Sequence, residues 1–273
     1  MPHFVKSHGL GNDYIVIDPR DIPFTLTPEA TRIICDRHRG VGSDGILLVG
    51  PSDGDVFGVR IFNPDGSEAE KSGNGARIFA KYVREHGHTE RERFVLRTAG
   101  GDVPVRLEMR DGRVAFVSAE MGTPRFDARD RIEVDGRVIE ITSLSLGNPH
   151  CVVLVADLAD VDVPALGPKI ERHPAFPAHT NVQFAQVTGR AEVQLEIWER
   201  GAGYTLASGS SACAAVAAAH RKGLVDRAVT VVMPGGKLEI AVADDGGMRM
   251  RGPVEEVMAG DFSPDLLARL QAR

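Results

Sequence analysis

The sequence predicts an α+β protein built from two pseudo-symmetric halves. Short strand-like runs bounded by Gly, Pro, Asp or Asn dominate the chain, and they do not alternate regularly with helices as they would in a doubly wound sheet. Two serine-glycine steps, Ser72-Gly73 and Ser208-Gly209, each lead into a helix-like segment and lie 136 residues apart in a chain of 273. The same offset relates Gly11-Asn12 to Gly147-Asn148. A chain of this length accommodates two domains of ordinary size.

The domain boundary is predicted near residue 117. Residues 1–116 form the N-terminal half, residues 117–260 form the C-terminal half, and residues 261–273 are expected to pack back on the first half. Each half contains its own strands and hairpins, separated by turn signals such as Asp111-Gly112. The predicted strands are residues 4–6, 14–17, 45–49, 57–62, 94–98, 103–108 and 113–119 in the first half, and 137–143, 150–155, 182–185, 192–198, 228–233 and 237–243 in the second.

Four helices are predicted. Thr27 is an N-cap with proline at the first helical position, and the helix that it starts runs to about residue 38. Two more helices follow Ser72 and Ser208, and a short one covers residues 264–272. The helix after Ser208 is small or apolar on every face, so we expect it to be buried with its N-terminus held rigidly.

Composition and charge argue against several functions. The chain is 42% apolar and 26% charged, with a formal net charge of −6 and a pI near 5.9. This acidic balance argues against a nucleic-acid surface, and no apolar run is long enough to span a membrane. The N-terminus lacks the apolar stretch of a signal peptide, and the three cysteines are widely spaced. We therefore expect a cytoplasmic protein without a disulfide scaffold or a zinc module.

The two serine-glycine steps predict a pair of anion-binding helix starts. Backbone N–H groups at a helix N-terminus favour a carboxylate or phosphate, and a small hydroxyl precedes each helix. Neither step is a P-loop, because no Gly-Lys-Ser/Thr follows it. A plain Ser-Gly helix start is the alternative for either step alone. The repetition favours one site that presents two polar groups to opposite faces of a small molecule.

Polar residues at strand ends complete the candidate site. Asparagine is a common turn residue, but five of them together would give a lining suited to ammonium and carboxylate groups. The pair Glu199-Arg200 precedes the second helix start, and its guanidinium suits a carboxylate. His150 follows the turn that repeats Gly11-Asn12, and no histidine of the nine has metal-site spacing. The five asparagines are Asn12, Asn63, Asn74, Asn148 and Asn181.

Taken together, these stretches resemble the diaminopimelate epimerase family of cofactor-independent racemases and epimerases. The resemblance implies two pseudo-symmetric domains, each with a β-sheet wrapped around a central helix, and substrate in the cleft between them. It also implies epimerisation at an α-carbon without pyridoxal phosphate or metal, in the supply of lysine and cell-wall precursors. The matching stretches follow the family order over nearly the whole chain: residues 8–13, 36–45, 63–67, 72–77, 147–150, 180–182 and 198–210.

The resemblance assigns roles to single residues. One group would bind the distal end of the substrate, a second would donate to the reacting carboxylate, and a third would carry or assist proton transfer. The first is Asn63, Asn181 and Arg200, with Asn12 and Asn148 beside them; the second is Gly73, Asn74, Gly209 and Ser210; the third is Ser72, Ser208, Glu199 and His150. The expected partner is a small amino acid, with no nucleic acid or membrane. The oligomeric state is left open, with a homodimer as one option.

The sequence departs from the family at the two decisive positions. The family has cysteine where Ser72 and Ser208 stand. A helix dipole draws a thiol with a pKa of about 8.5 down to a working thiolate, whereas a serine hydroxyl is a far weaker acid. Serine relays a proton only when another base drives it, and Glu199 or His150 would be that base. Three hypotheses stay open: epimerisation of diaminopimelate by serine relay, the same chemistry on another amino acid, and amino-acid binding without catalysis.

Overall fold

The computed structural model describes residues 3–271, which divide into two compact units. The first unit runs to Ser118 and resumes at Pro253, and the second comprises Ala119–Gly252. The returning segment is longer than the sequence predicts, because residues 253–260 belong to the first unit and not to the second. The cause is a strand at residues 255–261 that pairs with the first strand of the chain.

The elements confirm the α+β class, with twenty strands and five α-helices between residues 3 and 271. In chain order they are β1 His3–Gly9, β2 Asn12–Ile17, α1 Pro28–Cys35, β3 Ile46–Asp53, β4 Val56–Phe62, β5 Glu68–Ala69, α2 Gly73–Glu85, β6 Arg93–Thr98, β7 Gly101–Arg110, β8 Arg113–Gly122, β9 Arg125–Phe126, β10 Arg131–Val134, β11 Arg137–Glu140, β12 Thr142–Ser145, β13 Pro149–Val155, α3 Val163–Glu171, β14 Asn181–Gly189, β15 Glu192–Glu199, β16 Gly203–Thr205, α4 Gly209–Arg221, β17 Ala228–Met233, β18 Gly236–Val242, β19 Met248–Pro253, β20 Glu255–Asp261 and α5 Pro264–Gln271.

The first unit is a sheet that packs on a central helix. Its strands lie in the order β20-β1-β2-β3-β4-β6-β7, with β2 parallel to β3 and β4 parallel to β6. Helix α2 packs against β1, β2, β4 and β7, and it is buried from Gly73 through Val83. The returning segment adds apolar contacts, since the Phe262 ring lies 4.9 Å from the Phe4 ring in the core around α1.

The second unit repeats this arrangement with the 136-residue offset. Its strands lie in the order β9-β12-β13-β14-β15-β17-β18-β19, with β13 parallel to β14 and β15 parallel to β17. The strand register repeats as well: Ile46 pairs with Phe62 in the first unit, and Val182 pairs with Trp198 in the second. Helix α4 is buried from Gly209 through Ala219, which confirms the prediction from its all-round apolar surface.

Two features of the second unit differ from the sequence prediction. Helix α3 was not predicted, because Pro168 lies inside it and proline normally breaks a helix. Its N-cap Asp162 accepts a hydrogen bond from Ala165 N, and the helix packs against β14, β15 and β16, so capping and tertiary packing outweigh the proline. The predicted strand 137–143 is two strands, because β11 pairs with β10 whereas β12 pairs with β13. No helix within residues 3–271 is long and apolar enough to cross a membrane.

Candidate active site

Both serine-glycine steps start a helix with the same backbone geometry. Ser72 is the N-cap of α2 with φ −137° and ψ 124°, and Ser208 is the N-cap of α4 with φ −145° and ψ 125°. Neither helix has an acidic residue in its first turn, so no carboxylate of the helix itself neutralises the positive end of the dipole. Each N-terminus can therefore hold an anion such as a carboxylate.

The two serine side chains differ in their surroundings. Ser72 Oγ accepts a hydrogen bond from Gly75 N at 3.0 Å and lies 3.1 Å from the Tyr14 hydroxyl. Ser208 is 3% exposed and caps no backbone N–H of its helix. Because the two backbones match, the difference lies in the direction of the hydroxyl. One serine is tied to a phenol and to its own helix, whereas the other hydroxyl is not used for capping.

This difference predicts unequal effects on stability. We expect Ser72→Ala to lower the free energy of unfolding by about 1 kcal/mol, the usual cost of removing an N-cap. Ser208→Ala is the matched control at the equivalent position, and it has no capping bond to lose. Urea denaturation measures the free energy of unfolding of both variants, and the slope of this free energy against urea concentration should be the same in each. An equal loss in the two variants would contradict the assigned difference in hydroxyl direction.

In the first unit, a chain of hydrogen bonds orients two asparagines of the candidate site. Arg77 is fully buried and donates to Asn74 Oδ1 at 2.8 Å. Asn74 Nδ2 donates to Asn12 Oδ1 at 3.0 Å, and Asn12 Nδ2 donates to Asp44 Oδ2 at 3.1 Å. Both amide oxygens are thus occupied within the unit. The group of each amide that suits a carboxylate is its N–H side.

The acceptor end of this chain is a charged cluster. Burial by itself raises the pKa of Asp13, but hydrogen bonds from Arg37 and Lys6 outweigh it and hold that pKa below its usual value. Burial and the adjacent Asp13 carboxylate raise the pKa of Asp44. Arg37 bridges the two carboxylates, at 2.8 Å from Asp13 and 2.6 Å from Asp44. The cluster fixes the loop that holds Asn12.

Two glycine turns place the equivalent asparagines. Gly11 has φ 85° and Gly147 has φ 96°, in the left-handed region that glycine adopts without steric cost. Asn12 and Asn148 follow directly, Asn12 as the first residue of β2 and Asn148 immediately before β13. The repeated Gly-Asn pairs are therefore a local backbone requirement, which explains why the sequence reveals them.

In the second unit, His150 is a buried neutral residue. It is fully buried, and this burial lowers its pKa to about 3. Its Nδ1 lies 3.1 Å from Gln183 Nε2, and its Nε2 lies 3.0 Å from Asn148 Oδ1. Because an amide nitrogen faces Nδ1 and an amide oxygen faces Nε2, the ring is the Nε2–H tautomer with its lone pair occupied. The structure therefore argues against His150 as the base that drives a serine.

The remaining predicted residues of the second unit lie around Asn181 and at the start of α4. Asn181 Nδ2 donates to Pro149 O at 2.9 Å, and its Oδ1 accepts from Arg200 N at 3.1 Å. The Arg200 guanidinium donates to Ala178 O at 3.4 Å, and Glu199 is half-buried at the end of β15. Asn148 Nδ2 lies 3.5 Å from Ser210 Oγ at the start of α4, directly after Gly209.

Glu171 holds the turn that carries Glu199 and Arg200. It is the last residue of α3 and is 3% exposed. Its carboxylate accepts from Trp198 Nε1 at 2.8 Å and from Gly201 N at 3.0 Å. A helix that the sequence did not reveal thus sets the position of the Glu199-Arg200 pair.

Asn63 is held in a different way from the other asparagines. It lies in the turn between β4 and β5, where its Nδ2 donates to Ser67 Oγ at 2.9 Å and its backbone N donates to Ser67 O. No hydrogen bond between the Asn63 side chain and Asn12 or Asn74 is found within residues 3–271. Its proposed contact with substrate stays a prediction.

Sequence reasoning missed Tyr14, Gln183, Ser211 and the residues that orient the asparagines. The 136-residue offset pairs Tyr14 with His150, so the repeat already contained a signal for Tyr14. A glutamine between two apolar residues of a buried strand was the signal for Gln183. Within residues 3–271, no group of three or more His, Cys, Asp or Glu side chains is arranged to hold a metal ion.

The fold is that of known amino-acid racemases and epimerases. A probable proline racemase from Agrobacterium radiobacter K84 matches with a TM-score of 0.77 at 18% identity, over 97% of this chain and 94% of that one. A hydroxyproline epimerase from Agrobacterium vitis, solved with trans-4-OH-L-proline, matches with a TM-score of 0.76 at 17% identity, over the same shares of the two chains. At these identities the likeness establishes the fold.

The sequence comparison then gives the family. Residues 4–126 and 142–257 match the profile of diaminopimelate epimerase. Diaminopimelate epimerase 2 of Nostoc sp. is 47% identical over 279 residues, which cover 97% of each protein. Diaminopimelate epimerase of Pelotomaculum thermopropionicum is 42% identical over 280 residues, 95% of this chain and 98% of that protein. The chain belongs to the diaminopimelate epimerase family, as the resemblance in the sequence predicts.

Proposed function

We propose that the protein interconverts LL- and meso-diaminopimelate by removing and replacing the α-proton. The observation that carries the proposal is the repeated helix start: a serine N-cap on a buried helix, next to an asparagine presented by a Gly-Asn turn, once in each unit. In this proposal the pair would supply carboxylate donors and one hydroxyl for each face of an α-carbon. The reaction would serve the supply of lysine and cell-wall precursors.

Substrate binding in this proposal depends on hydrogen-bond donors. The first-turn N–H groups of α2 and α4 would hold the reacting carboxylate and spread the charge of the carbanion. Asn12 and Asn148 have their amide oxygens occupied, which supports their acting as donors to a carboxylate. Arg200 would bind the distal carboxylate, since a guanidinium forms a two-pronged, charge-assisted pair with it.

Proton transfer through serine requires a relay. As the α C–H bond breaks, the proton would pass to one serine oxygen while that serine hands its own proton to a base, and the electron pair would delocalise into the carboxylate. On the opposite face the second serine would give its proton to the α-carbon and be reprotonated by its neighbour. Glu199 is the proposed base for Ser208, and the Tyr14 hydroxyl at 3.1 Å is the proposed neighbour that reprotonates Ser72.

A second candidate is an amino-acid-binding protein without turnover. The observation in its favour is His150, whose two ring nitrogens are both hydrogen-bonded and whose pKa is lowered to about 3. Without an imidazole base, and with serine at positions 72 and 208, the protein could still bind an amino acid through its hydrogen-bond donors without catalysing proton transfer. Serine-driven chemistry on a different amino acid is the third candidate.

The deciding experiment is exchange of the α-proton in D₂O, followed by NMR, with LL- and meso-diaminopimelate and a panel of other amino acids. We expect deuterium to enter the α-position of diaminopimelate. Exchange confined to another amino acid would replace the substrate and keep the mechanism. Binding of diaminopimelate without any exchange would favour the second candidate.

The substrate assignment predicts a specific role for Arg200. Arg200→Ala is expected to weaken diaminopimelate binding by about 10- to 100-fold, because a hydrogen-bonded charge is worth roughly 1.5–3 kcal/mol. Arg137→Ala, at an exposed arginine of β11, is the matched control. Titration calorimetry with both variants measures the difference. Unchanged affinity in Arg200→Ala would refute diaminopimelate as the ligand of this arginine.

A further inference from the structure

Gln183 is a polar residue at a position where packing alone would favour a hydrocarbon side chain. It lies on β14, is fully buried, and is offset by 136 residues from Leu47, which is also fully buried. Its Oε1 is buried without a hydrogen-bond partner among residues 3–271. Leaving such an acceptor unsatisfied costs about 1–3 kcal/mol. A leucine would avoid this cost, so the glutamine points to a role of its amide nitrogen.

The residue that contacts position 47 in the first unit and the residue that contacts position 183 in the second unit occupy equivalent positions. In the first unit Leu47 lies against Gly75, where an added Cβ would come within 3.0 Å of Leu47 Cδ2. At the equivalent position of the second unit stands Ser211, whose hydroxyl lies 3.0 Å from Gln183 Nε2. The apolar pair of one unit is thus a hydrogen-bonded pair in the other. Ser211 accepts one of the two amide hydrogens of Gln183.

The other amide hydrogen sets the state of His150. Gln183 Nε2 lies 3.1 Å from His150 Nδ1, so Nδ1 must be an acceptor and the ring proton must be on Nε2. That proton is donated to Asn148 Oδ1 at 3.0 Å. Asn148 therefore directs its amide nitrogen toward Ser210 at the N-terminus of α4, at 3.5 Å. Gln183, His150 and Asn148 form one chain in which each donor faces the next acceptor.

We propose that Gln183 is a positioning residue for the carboxylate site at the start of α4. It acts through His150, whose tautomer it selects, and thereby holds Asn148 with its N–H groups toward the substrate. The inference rests on the proposed function insofar as the ligand is diaminopimelate. The hydrogen-bond chain itself can be tested without any substrate.

The charged surroundings of His150 make one substitution informative. Among residues 3–271, the charge that acts on the ring is Arg200, which disfavours the protonated form, while Gln183, Ser211 and Asn148 contact or adjoin it as neutral groups. Gln183→Glu would place a carboxylate against Nδ1. A carboxylate accepts and does not donate, so Nδ1 would take up a proton and the pKa of His150 would rise. Gln183→Leu, which copies Leu47, removes the donor without adding charge.

The experiment records the ¹⁵N signals of the His150 ring in the full-length protein and in three variants. We expect the Nε2–H tautomer in the wild type and in Gln194→Leu, the matched control at an exposed position of the neighbouring strand. In Gln183→Leu, the His150 ring should no longer be held in a single tautomer. In Gln183→Glu, Nδ1 of His150 should be protonated near neutral pH. With diaminopimelate, Gln183→Leu should raise KM by about 10-fold with a smaller change in kcat, as expected for one lost hydrogen bond. Gln183→Glu should make KM depend on pH.

The outcomes separate this inference from the proposed function. An unchanged His150 tautomer in both Gln183 variants would overturn the positioning role, whatever the substrate. A changed tautomer without binding of diaminopimelate by the wild type would uphold the hydrogen-bond chain and refute the proposed ligand. A changed tautomer with KM unaltered would refute the link from His150 to the carboxylate site. Circular dichroism of Gln183→Leu identifies a variant that fails to fold, and Gln183→Glu then supplies the test.

Discussion

Replacing Ser208 by alanine is expected to slow α-proton exchange into diaminopimelate by about 10²- to 10⁴-fold, the range over which positioned acid–base groups act. Ser72→Ala should have an effect of the same order, because the proposed mechanism needs a hydroxyl on each face of the α-carbon. Ser208 caps no backbone N–H, so its loss should slow exchange while leaving the free energy of unfolding nearly unchanged. Exchange in D₂O, followed by NMR at saturating substrate, is the measurement.

The control for this prediction is Ser52→Ala, at an exposed serine of β3. A loss of less than tenfold in both Ser72→Ala and Ser208→Ala would rule out relay through these hydroxyls. Cysteine at both positions then separates the remaining hypotheses, since a thiol at a helix N-terminus forms a thiolate readily. A large gain in exchange would indicate a dormant catalytic site. Little change or a loss would indicate chemistry adapted to serine.

Acid is expected to destabilise the protein through His150. Burial lowers the pKa of this histidine to about 3, so the folded protein keeps the ring neutral. The unfolded ring binds a proton below its ordinary pKa of about 6.5, and the unfolded state is therefore favoured as the pH falls from that value toward the folded pKa. The contribution of His150 to the free energy of unfolding should fall by about 3 kcal/mol between pH 7 and pH 4.

The measurement is urea denaturation of the wild type and His150→Gln across this pH range. Glutamine cannot titrate but keeps an N–H donor for Asn148, so the stability difference between the two proteins should shrink as the pH falls. His38→Gln, at an exposed histidine, is the matched control for the loss of one imidazole ring. A difference that stays constant from pH 7 to pH 4 would show that His150 is not held neutral by burial.

Much of the fold follows from local sequence chemistry. The helix starts at Ser72 and Ser208 are visible because a cap and a small-residue turn act within a few residues. The Gly-Asn turns are visible because only glycine adopts the left-handed backbone at Gly11 and Gly147 without cost. The 136-residue offset then relates the two units, and the strand register repeats it. Helix α3 was missed for the same reason. The sequence shows the local penalty of proline inside a helix, but it does not show the tertiary packing that outweighs this penalty.

The sequence by itself therefore determined the two repeated units, their helix starts and the asparagines beside them. Only the tertiary structure decided how those groups are used. Asn74 is turned by its contact with Asn12, 62 residues away in the chain, and the ring of His150 is neutral because it is buried, with the amide of Gln183, 33 residues away, against its Nδ1. Hydrogen-bond polarity and protonation depend on neighbours that are distant in sequence and on the loss of water. A local sequence pattern therefore predicts neither the direction of these hydrogen bonds nor the protonation state of the ring.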